Sequence, residues 1–408
     1  MNKELVQKFA RLIVEVGVDV QKGQNLVINA PLEARDLVRE ISRIAYQERQ
    51  VQYVIPHYED DRVLALRLKY SEEDFLFYQP DWESAYLEAR SSGNLAEINL
   101  RTADPSLAAS VHPHRFDLYN RAQLKIRQGY RRHFNEMRIN WVSLIYPTQE
   151  WAKQVYPDLP DSEAYQALMQ DFIKINRLDQ EDPVQVWKDH FASIDRRKRE
   201  LDDLDIVRLH FEGPGTQLEV GLVEGGRWAG GALHLDGKTF APNIPTEEVF
   251  HLPHKYKVQG TVRSTLPLSY QGKLLDGMTF TFRDGKVVDF SAQKGQDVLQ
   301  KILEVDSGSS YLGEVALVTT DSPIFQSGKT FYTTLYDENA VCHLALGNYA
   351  SAVVDGIEAM TEEETNARGI NRSLLHVDFM IGSTRLDVLA DLRDGKTMKI
   401  MEAGKWLI

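Results

Sequence analysis

The sequence predicts two domains, a Rossmann-like α/β domain followed by a mainly antiparallel α+β domain. Three observations lead to this fold class. Apolar strand-like segments alternate with helical segments in the first half, Asp-Gly turns separate alternating segments in the second half, and 408 residues exceed the length of a typical single domain. We place the boundary between residues 195 and 196, so the two predicted domains cover 1–195 and 196–408.

In the first half, helical patterns at about 3–16 and 32–47 lie between short apolar strands. Strands that alternate with helices of this length are typical of a parallel sheet. After the first strand, residues 31–34 are Pro-Leu-Glu-Ala and lack the glycines that let a backbone approach a pyrophosphate. We therefore predict a Rossmann-like sheet without a dinucleotide. The predicted strands are 26–30, 51–55 (ended by Pro56), 96–100 and 141–145.

The second half follows a long helical region at about 161–201. Its strand patterns come in pairs, and two of the connecting turns are centred on Asp284-Gly285 and Asp394-Gly395. Asp-Gly between alternating segments is a strong signal for a β-hairpin, whose strands are antiparallel. The predicted pairs are 206–211 with 217–222, 278–282 with 287–290, and 385–390 with 398–401.

Composition excludes several classes of protein. A net charge of −13 argues against nucleic acid as a partner, because phosphate binding needs a basic surface. The basic runs at 131–133 and 196–199 are expected to be solvated helix faces. No apolar run approaches the roughly 20 residues that span a bilayer, so we expect no membrane association. The single cysteine, Cys342, excludes an internal disulfide and predicts a cytoplasmic protein.

Common catalytic motifs are missing from the sequence. It contains no Gly-x-Ser-x-Gly element of a serine hydrolase. Cys342 lies in an apolar run, where a small buried side chain is typical. The glycines at 224–226 and 307–310 lack the lysine and helix of a phosphate-binding loop. The remaining candidates are acidic and histidine residues inside apolar, strand-like segments.

His376 and Asp378 are the clearest of these candidates. They lie two residues apart on a predicted strand, so their side chains share one face. An imidazole and a carboxylate on one face suit Zn²⁺, Co²⁺ or Mn²⁺. The same pattern fits a His–Asp hydrogen bond on a half-exposed face, and the sequence leaves both interpretations open.

Three further segments are also open to two interpretations. His343 is either a metal ligand or a core histidine, and Glu314 either binds a cation or lies at an exposed strand edge, since a carboxylate is costly to bury alone. Glu247 and Glu248 follow a proline turn and also fit a helix N-terminus. Together the segments supply three carboxylates and two imidazoles within 248–378, which suits a two-metal hydrolytic site.

Four segments, in the right order, resemble the thermophilic aminopeptidase family, which includes aminopeptidases T and S. The resemblance extends over essentially the whole chain. It implies a homodimeric enzyme that releases N-terminal residues from peptides with two divalent metal ions, Zn²⁺, Co²⁺ or Mn²⁺, held in the domain 196–408. The four segments are 243–250, 312–317, 338–347 and 376–382.

The resemblance implies a set of site residues. Glu248 is preferred over Glu247 because it directly precedes Val-Phe in the motif. The family has a tyrosine near the metals at the position of Ala350, whereas this chain has Tyr349, one residue earlier. Either the loop shifts to present Tyr349 as a catalytic residue, or the phenol is absent and activity is altered. The implied metal ligands are Glu248, Glu314, His343, His376 and Asp378.

Two questions stay open at this point. Glu247 and Glu338 lie beside the ligand motifs and are both candidates for the general base. The alternatives to an aminopeptidase are a non-catalytic binding or regulatory homologue that has lost turnover and a nucleotide-binding enzyme working from the first domain.

Overall fold

A computed structural model of the chain describes residues 1–78, 80–91, 94–103, 110–126, 139–235, 237–350 and 352–408. The chain forms two compact units, and the first contains 1–189 with 232–244, while the second contains 190–231 with 245–408. The basic run at 131–133 lies outside the described residues, and the predicted boundary between residues 195 and 196 stays a prediction.

The first unit contains a parallel sheet with the strand order β2-β1-β3-β4. Each adjacent pair is parallel, with Val27 beside Ile55 on one side and beside Glu97 on the other. This arrangement confirms the predicted Rossmann-like α/β fold. The strands are β1 (Asn25–Pro31), β2 (Tyr53–Glu59), β3 (Leu95–Arg101) and β4 (Asn140–Ile145).

Helices alternate with these strands along the chain, and the helix at Arg35–Gln47 packs against β1 and β2. Helix α1 buries Phe9, whose ring packs edge-on against Phe172 with 5.2 Å between the centroids. The helices are α1 (Lys3–Leu12), α2 (Arg35–Gln47), α3 (Asp61–Tyr70), α4 (Asp81–Ser91), α5 (Pro113–Ile126), α6 (Gln149–Val155), α7 (Asp161–Ile175) and α8 (Pro183–Asp203), the last of which continues into the second unit. No helix of the described residues has the length and apolar character needed to cross a membrane.

Two details of the first unit differ from the sequence-based prediction. Strand β2 continues through Pro56 instead of ending there. It has β1 as its one described neighbour, and a proline is tolerated in an edge strand because its nitrogen has no hydrogen to donate to a ladder. The helical region at 161–201 is divided, because Arg177 adopts a positive φ of 57° after α7 and Pro183 begins α8.

A buried amide fixes the start of β4. Asn140 is fully buried, and its Nδ2 donates to the carbonyl of Val18 at 2.5 Å. Its Oδ1 accepts a hydrogen bond of 2.9 Å from Gln24. Both ends of the amide are therefore satisfied, as a buried polar group requires.

The second unit contains a large antiparallel sheet with the order β14-β13-β10-β6-β5-β18-β19-β20. The three predicted hairpins are present as the pairs β5 with β6, β13 with β14 and β18 with β19. Its strands are β5 (Ile206–Gly213), β6 (Thr216–Leu222), β10 (Pro253–Arg263), β13 (Thr279–Arg283), β14 (Lys286–Ser291), β18 (Asp387–Leu392), β19 (Thr397–Glu402) and β20 (Lys405–Trp406).

A second antiparallel sheet has the order β17-β16-β15-β9. Its two central strands, β15 and β16, are buried at every position. These strands are β9 (Val249–His251), β15 (Leu312–Leu317), β16 (His343–Gly347) and β17 (His376–Met380). The predicted antiparallel α+β character of this half is therefore confirmed.

The remaining elements are short. Two-stranded sheets are formed by β7 (Leu233–Leu235) with β8 (Lys238–Phe240) and by β11 (Leu268–Tyr270) with β12 (Lys273–Leu275). The helices of the second half are α9 (Gln296–Leu303), α10 (Pro323–Gln326), α11 (Thr334–Asp337) and α12 (Glu362–Ala367). Single turns of 3-10 helix occur at Leu32–Ala34, Glu73–Leu76, Glu338–Ala340 and Ile357–Ala359, and a π-helical turn at Ile13–Gly17 follows α1.

Candidate metal centre

The four-stranded sheet of the second unit brings the five predicted ligands together. Glu314 lies in β15 and pairs with Ala345 of β16, which in turn pairs with Asp378 of β17. Directly paired residues of antiparallel strands point to the same face, so both carboxylates point to one side of the sheet. His343 and His376 are two residues from Ala345 and Asp378 and share that face.

Small side chains leave room between these ligands. Ala345 separates the Glu314 and Asp378 positions, and Ala316 pairs with His343. Glu248 reaches the same group from the residue before β9, which pairs with β15 at the edge of the sheet. A larger residue at either alanine position would fill the space between the polar groups.

The ligand atoms form two groups that share one carboxylate. In the first, Nε2 of His343 lies 3.1 Å from Oε2 of Glu248 and 3.5 Å from Oε1 of Glu314. In the second, Nε2 of His376 lies 3.6 Å from Oε2 of Glu314 and 3.1 Å from Oδ1 of Asp378. Within each group the possible ligand atoms all lie within 4.8 Å of one another.

The two groups differ in exposure. The side chains of Glu248, Glu314 and His343 are 11%, 8% and 1% exposed, so the first group is buried. The imidazole of His376 is 34% exposed, which places the second group closer to solvent. Its Nδ1 lies 2.9 Å from the carbonyl oxygen of Asn348 and donates to it, because a carbonyl can only accept. Nε2 therefore points to the carboxylates.

Burial and neighbouring charges shift the pKa values of these groups. Burial raises the pKa of the Glu314 carboxyl. Burial lowers the pKa of His343, but the carboxylates of Glu248 and Glu314 outweigh it and raise that pKa well above its usual value. Burial also lowers the pKa of His376, but the Asp378 carboxylate outweighs it and raises that pKa to about 10. The carboxylates therefore favour a positive charge at both imidazoles.

One buried oxygen supports a cation at the first group. Oε2 of Glu248 accepts no hydrogen bond among the described residues, since its contact with His343 is an ion pair outside hydrogen-bonding geometry. An unsatisfied buried carboxylate oxygen is costly unless a cation binds it. Carboxylate oxygens and imidazole nitrogens are also the donors that divalent transition metals prefer. The residues present therefore fit a bound metal.

The two candidates for the general base have different surroundings. Glu338 begins the turn that precedes β16, and the pKa of its carboxyl is raised well above the usual value by burial and by the charges of Asp378 and Glu248. Glu247 instead lies 3.3 Å from Nε2 of His190. The sequence could not distinguish these two neighbours of the ligand motifs.

Tyr349 lies in the loop after β16 and packs against an apolar cluster. The cluster includes Val223, Leu252 and Val353. The guanidinium of Arg372 lies 5.7 Å from the centroid of the Tyr349 ring. Burial raises the pKa of the Tyr349 phenol. Its catalytic role stays a prediction.

The first unit contains a cavity of about 920 Å³ at the carboxyl ends of β1, β2 and β3, where open α/β sheets commonly bind ligands. Among its lining residues, carboxylates outnumber guanidinium groups, and such a surface repels phosphate. One of the lining arginines, Arg90, is paired with Glu97 at 2.6 Å. The alternative of a nucleotide-binding enzyme therefore gains no support from this cavity.

Comparison with known proteins gives a consistent result. The family model of thermophilic metalloproteases (M29) matches residues 2–406. Aminopeptidase 2 of Geobacillus stearothermophilus is 40% identical over 406 residues, which cover 99% of this chain and 98% of that protein. Aminopeptidase T of Thermus aquaticus is 37% identical, with 99% of both chains covered. The solved structure of wild-type AmpT from Thermus thermophilus superposes with a TM-score of 0.92 at 34% identity and covers 100% of both chains.

We expect His376→Ala to lose most bound divalent metal while the fold stays intact, because a partly exposed ligand contributes little to packing. Val377→Ala should keep the metal and lower the free energy of unfolding by roughly 1–3 kcal/mol, since Val377 is buried on the opposite face. Elemental analysis and thermal unfolding of the two variants separate these effects. A full metal content in His376→Ala would show that His376 is structural.

Proposed function

Because this chain belongs to the thermophilic metalloprotease family (M29) and is an aminopeptidase, a metallo-exopeptidase, we propose that it acts through a dinuclear metal centre. The observation that carries the proposal is the pair of ligand groups joined by Glu314. Because Glu314 contributes one oxygen to each group, it would help to hold both ions. The proposed ligands are Glu248, Glu314, His343, His376 and Asp378.

Divalent metal ions supply Lewis acidity at the scissile carbonyl and a water of lowered pKa. We propose that Glu338 takes the proton of that water as its oxygen attacks the carbonyl carbon. The same carboxyl then gives the proton to the amine nitrogen as the C–N bond breaks. A carboxyl whose pKa is raised above its usual value is suited to both steps near neutral pH.

The substrate is a peptide with a free N-terminus, as expected of an aminopeptidase. We propose that excess carboxylate charge in the site attracts the protonated α-amine. The mixed carboxylate and imidazole donors suit Zn²⁺, Co²⁺ or Mn²⁺. A non-catalytic homologue is not favoured, because the five predicted ligands are present and lie together.

We further propose a cytoplasmic homodimer in which residues 196–408 form the catalytic domain. The resemblance to aminopeptidases T and S supports the dimer. The single cysteine supports a reducing compartment, and burial raises the pKa of the Cys342 thiol to about 11, which keeps it unreactive.

Removal of metal should abolish peptide hydrolysis. Chelation followed by dialysis is expected to stop the release of N-terminal residues from an unblocked peptide, and Co²⁺, Zn²⁺ or Mn²⁺ should restore it, because the water that attacks is activated by the metal. The measurement is turnover of a panel of amino-acyl amides beside elemental analysis. Full activity in a preparation shown to be metal-free would contradict the proposal.

Glu338→Gln should lower kcat by about 10²- to 10⁴-fold with metal content unchanged, because the amide cannot accept the proton of the water. Glu247→Gln is the matched comparison, since its carboxylate pairs with His190, and its effect on kcat should be much smaller. Steady-state kinetics with metal analysis of both variants provide the test. A larger loss in Glu247→Gln would reverse the assignment.

Tyr349→Phe tests the one departure from the family pattern. If the phenol donates a hydrogen bond to the developing oxyanion, kcat should fall by about 100- to 1,000-fold with metal content nearly unchanged. We expect this result, measured on the best available substrate. A change of less than about threefold would instead assign the ring to packing against its apolar cluster.

A further inference from the structure

The orientation of His376 depends on a backbone carbonyl in the loop after β16. Its Nδ1 donates to the carbonyl of Asn348 at 2.9 Å, and this bond fixes the ring so that Nε2 faces Glu314 and Asp378. A hydrogen bond from the second nitrogen of a ligating histidine commonly sets its tautomer and its basicity. The position of this carbonyl therefore bears directly on the second ligand group.

Gly313 lets this carbonyl come close to the sheet. A Cβ at Gly313 would lie 1.9 Å from the carbonyl oxygen of Asn348, which is closer than any real contact. The pairing of β15 with β16 is irregular at this point, between Leu312 and Glu314. The glycine next to the shared carboxylate is thus required for the loop to pass directly over β15.

Asn371 holds the same loop through the hydrogen bonds of its side-chain amide. Its Nδ2 donates to the carbonyl of Gly347 at 2.6 Å and to that of Gly308 at 2.8 Å. Asn371 is 1% exposed, and its Oδ1 has no hydrogen-bond partner among the described residues. An unpaired buried oxygen is destabilising, so the Asn371 amide is poorly satisfied as a core residue, and its contribution comes from the two hydrogen bonds that Nδ2 donates.

The segment before β17 is fixed as well. The carboxylate of Asp306 accepts hydrogen bonds from the backbone of Leu374 at 2.6 Å and from the hydroxyl of Ser373 at 2.9 Å. The backbone N–H of Asn348 donates to the carbonyl of Leu375 at 2.7 Å. Asp306 therefore fixes the segment before β17, and the backbone hydrogen bond from Asn348 joins that segment to the loop after β16.

We propose that Asn371 and Gly313 are positioning residues for the metal centre: they hold residues 347 and 348 so that the carbonyl of Asn348 orients His376 toward the second ligand group. This inference rests on the proposed dinuclear function and adds two residues that are not among the proposed metal ligands. The first group, Glu248 with Glu314 and His343, does not include His376, so loss of the anchor should weaken one ion and spare the other.

The test is Co²⁺ binding to Asn371→Ala, with Asn140→Ala as the matched control. Asn140 is also a buried asparagine whose amide donates to a backbone carbonyl, but it lies in the first unit. Metal-free proteins are titrated with Co²⁺ and followed by visible absorbance and equilibrium dialysis, and thermal unfolding is recorded without metal. We expect Asn371→Ala to bind one of two Co²⁺ ions about 10- to 100-fold more weakly, with the control unchanged.

Excess Co²⁺ should restore the kcat of Asn371→Ala, because the ligands themselves remain. Gly313→Ala should show a similar or larger loss of affinity. If Asn371→Ala does not fold, Asn371→Ser is compared with Asn140→Ser. If a destabilised Asn371 variant binds two Co²⁺ ions at wild-type affinity, the positioning role is wrong and the dinuclear function still stands. A wild-type protein that binds no Co²⁺ would overturn the dinuclear function and this inference with it.

Discussion

The antiparallel register of β15, β16 and β17 is the constraint on which the candidate site depends. It places Glu314, Ala345 and Asp378 in one row, so two carboxylates face the same space with only a methyl group between them. Neighbouring strands of a sheet lie about 4.8 Å apart, so the backbones of Glu314 and Asp378, with β16 between them, are about 10 Å apart and the side chains reach toward each other across Ala345. A slip of one residue in any of these strands would turn its ligand to the other face.

The same sheet explains why charged groups can be buried here. Strands β15 and β16 are buried along their whole length, so their backbone groups are paired and their other side chains are apolar. In these surroundings burial, and after it repulsion by neighbouring carboxylates, raises the pKa values of Glu314 and Glu338. Two imidazoles offset part of this repulsion, and bound divalent cations would offset the rest.

Much of the fold and part of the site could be predicted from the sequence. Period-two spacing is sufficient to place His376 and Asp378 on one face, and the Asp-Gly turns are sufficient to place the hairpins. Sequence patterns cannot show how the surroundings of Glu247 and Glu338 differ, because these surroundings depend on tertiary contacts such as the ion pair between Glu247 and His190. They also cannot show that a backbone carbonyl orients His376, since every residue has a carbonyl. Pro56 was misinterpreted as a strand end because its position at an edge is a property of the sheet order.

The position of β2 at the edge of its sheet bears on aggregation of the protein. An unpaired edge strand offers N–H and C=O groups to any other extended chain, which is a route to aggregation. Strand β2 carries Pro56 near its middle, where a nitrogen without a hydrogen interrupts the ladder that an incoming strand would need. Three charged or polar residues, His57, Glu59 and Asp60, follow it and are exposed. This edge of the first sheet is thereby protected against growth by strand addition, and replacing Pro56 with a strand-forming residue would remove that protection.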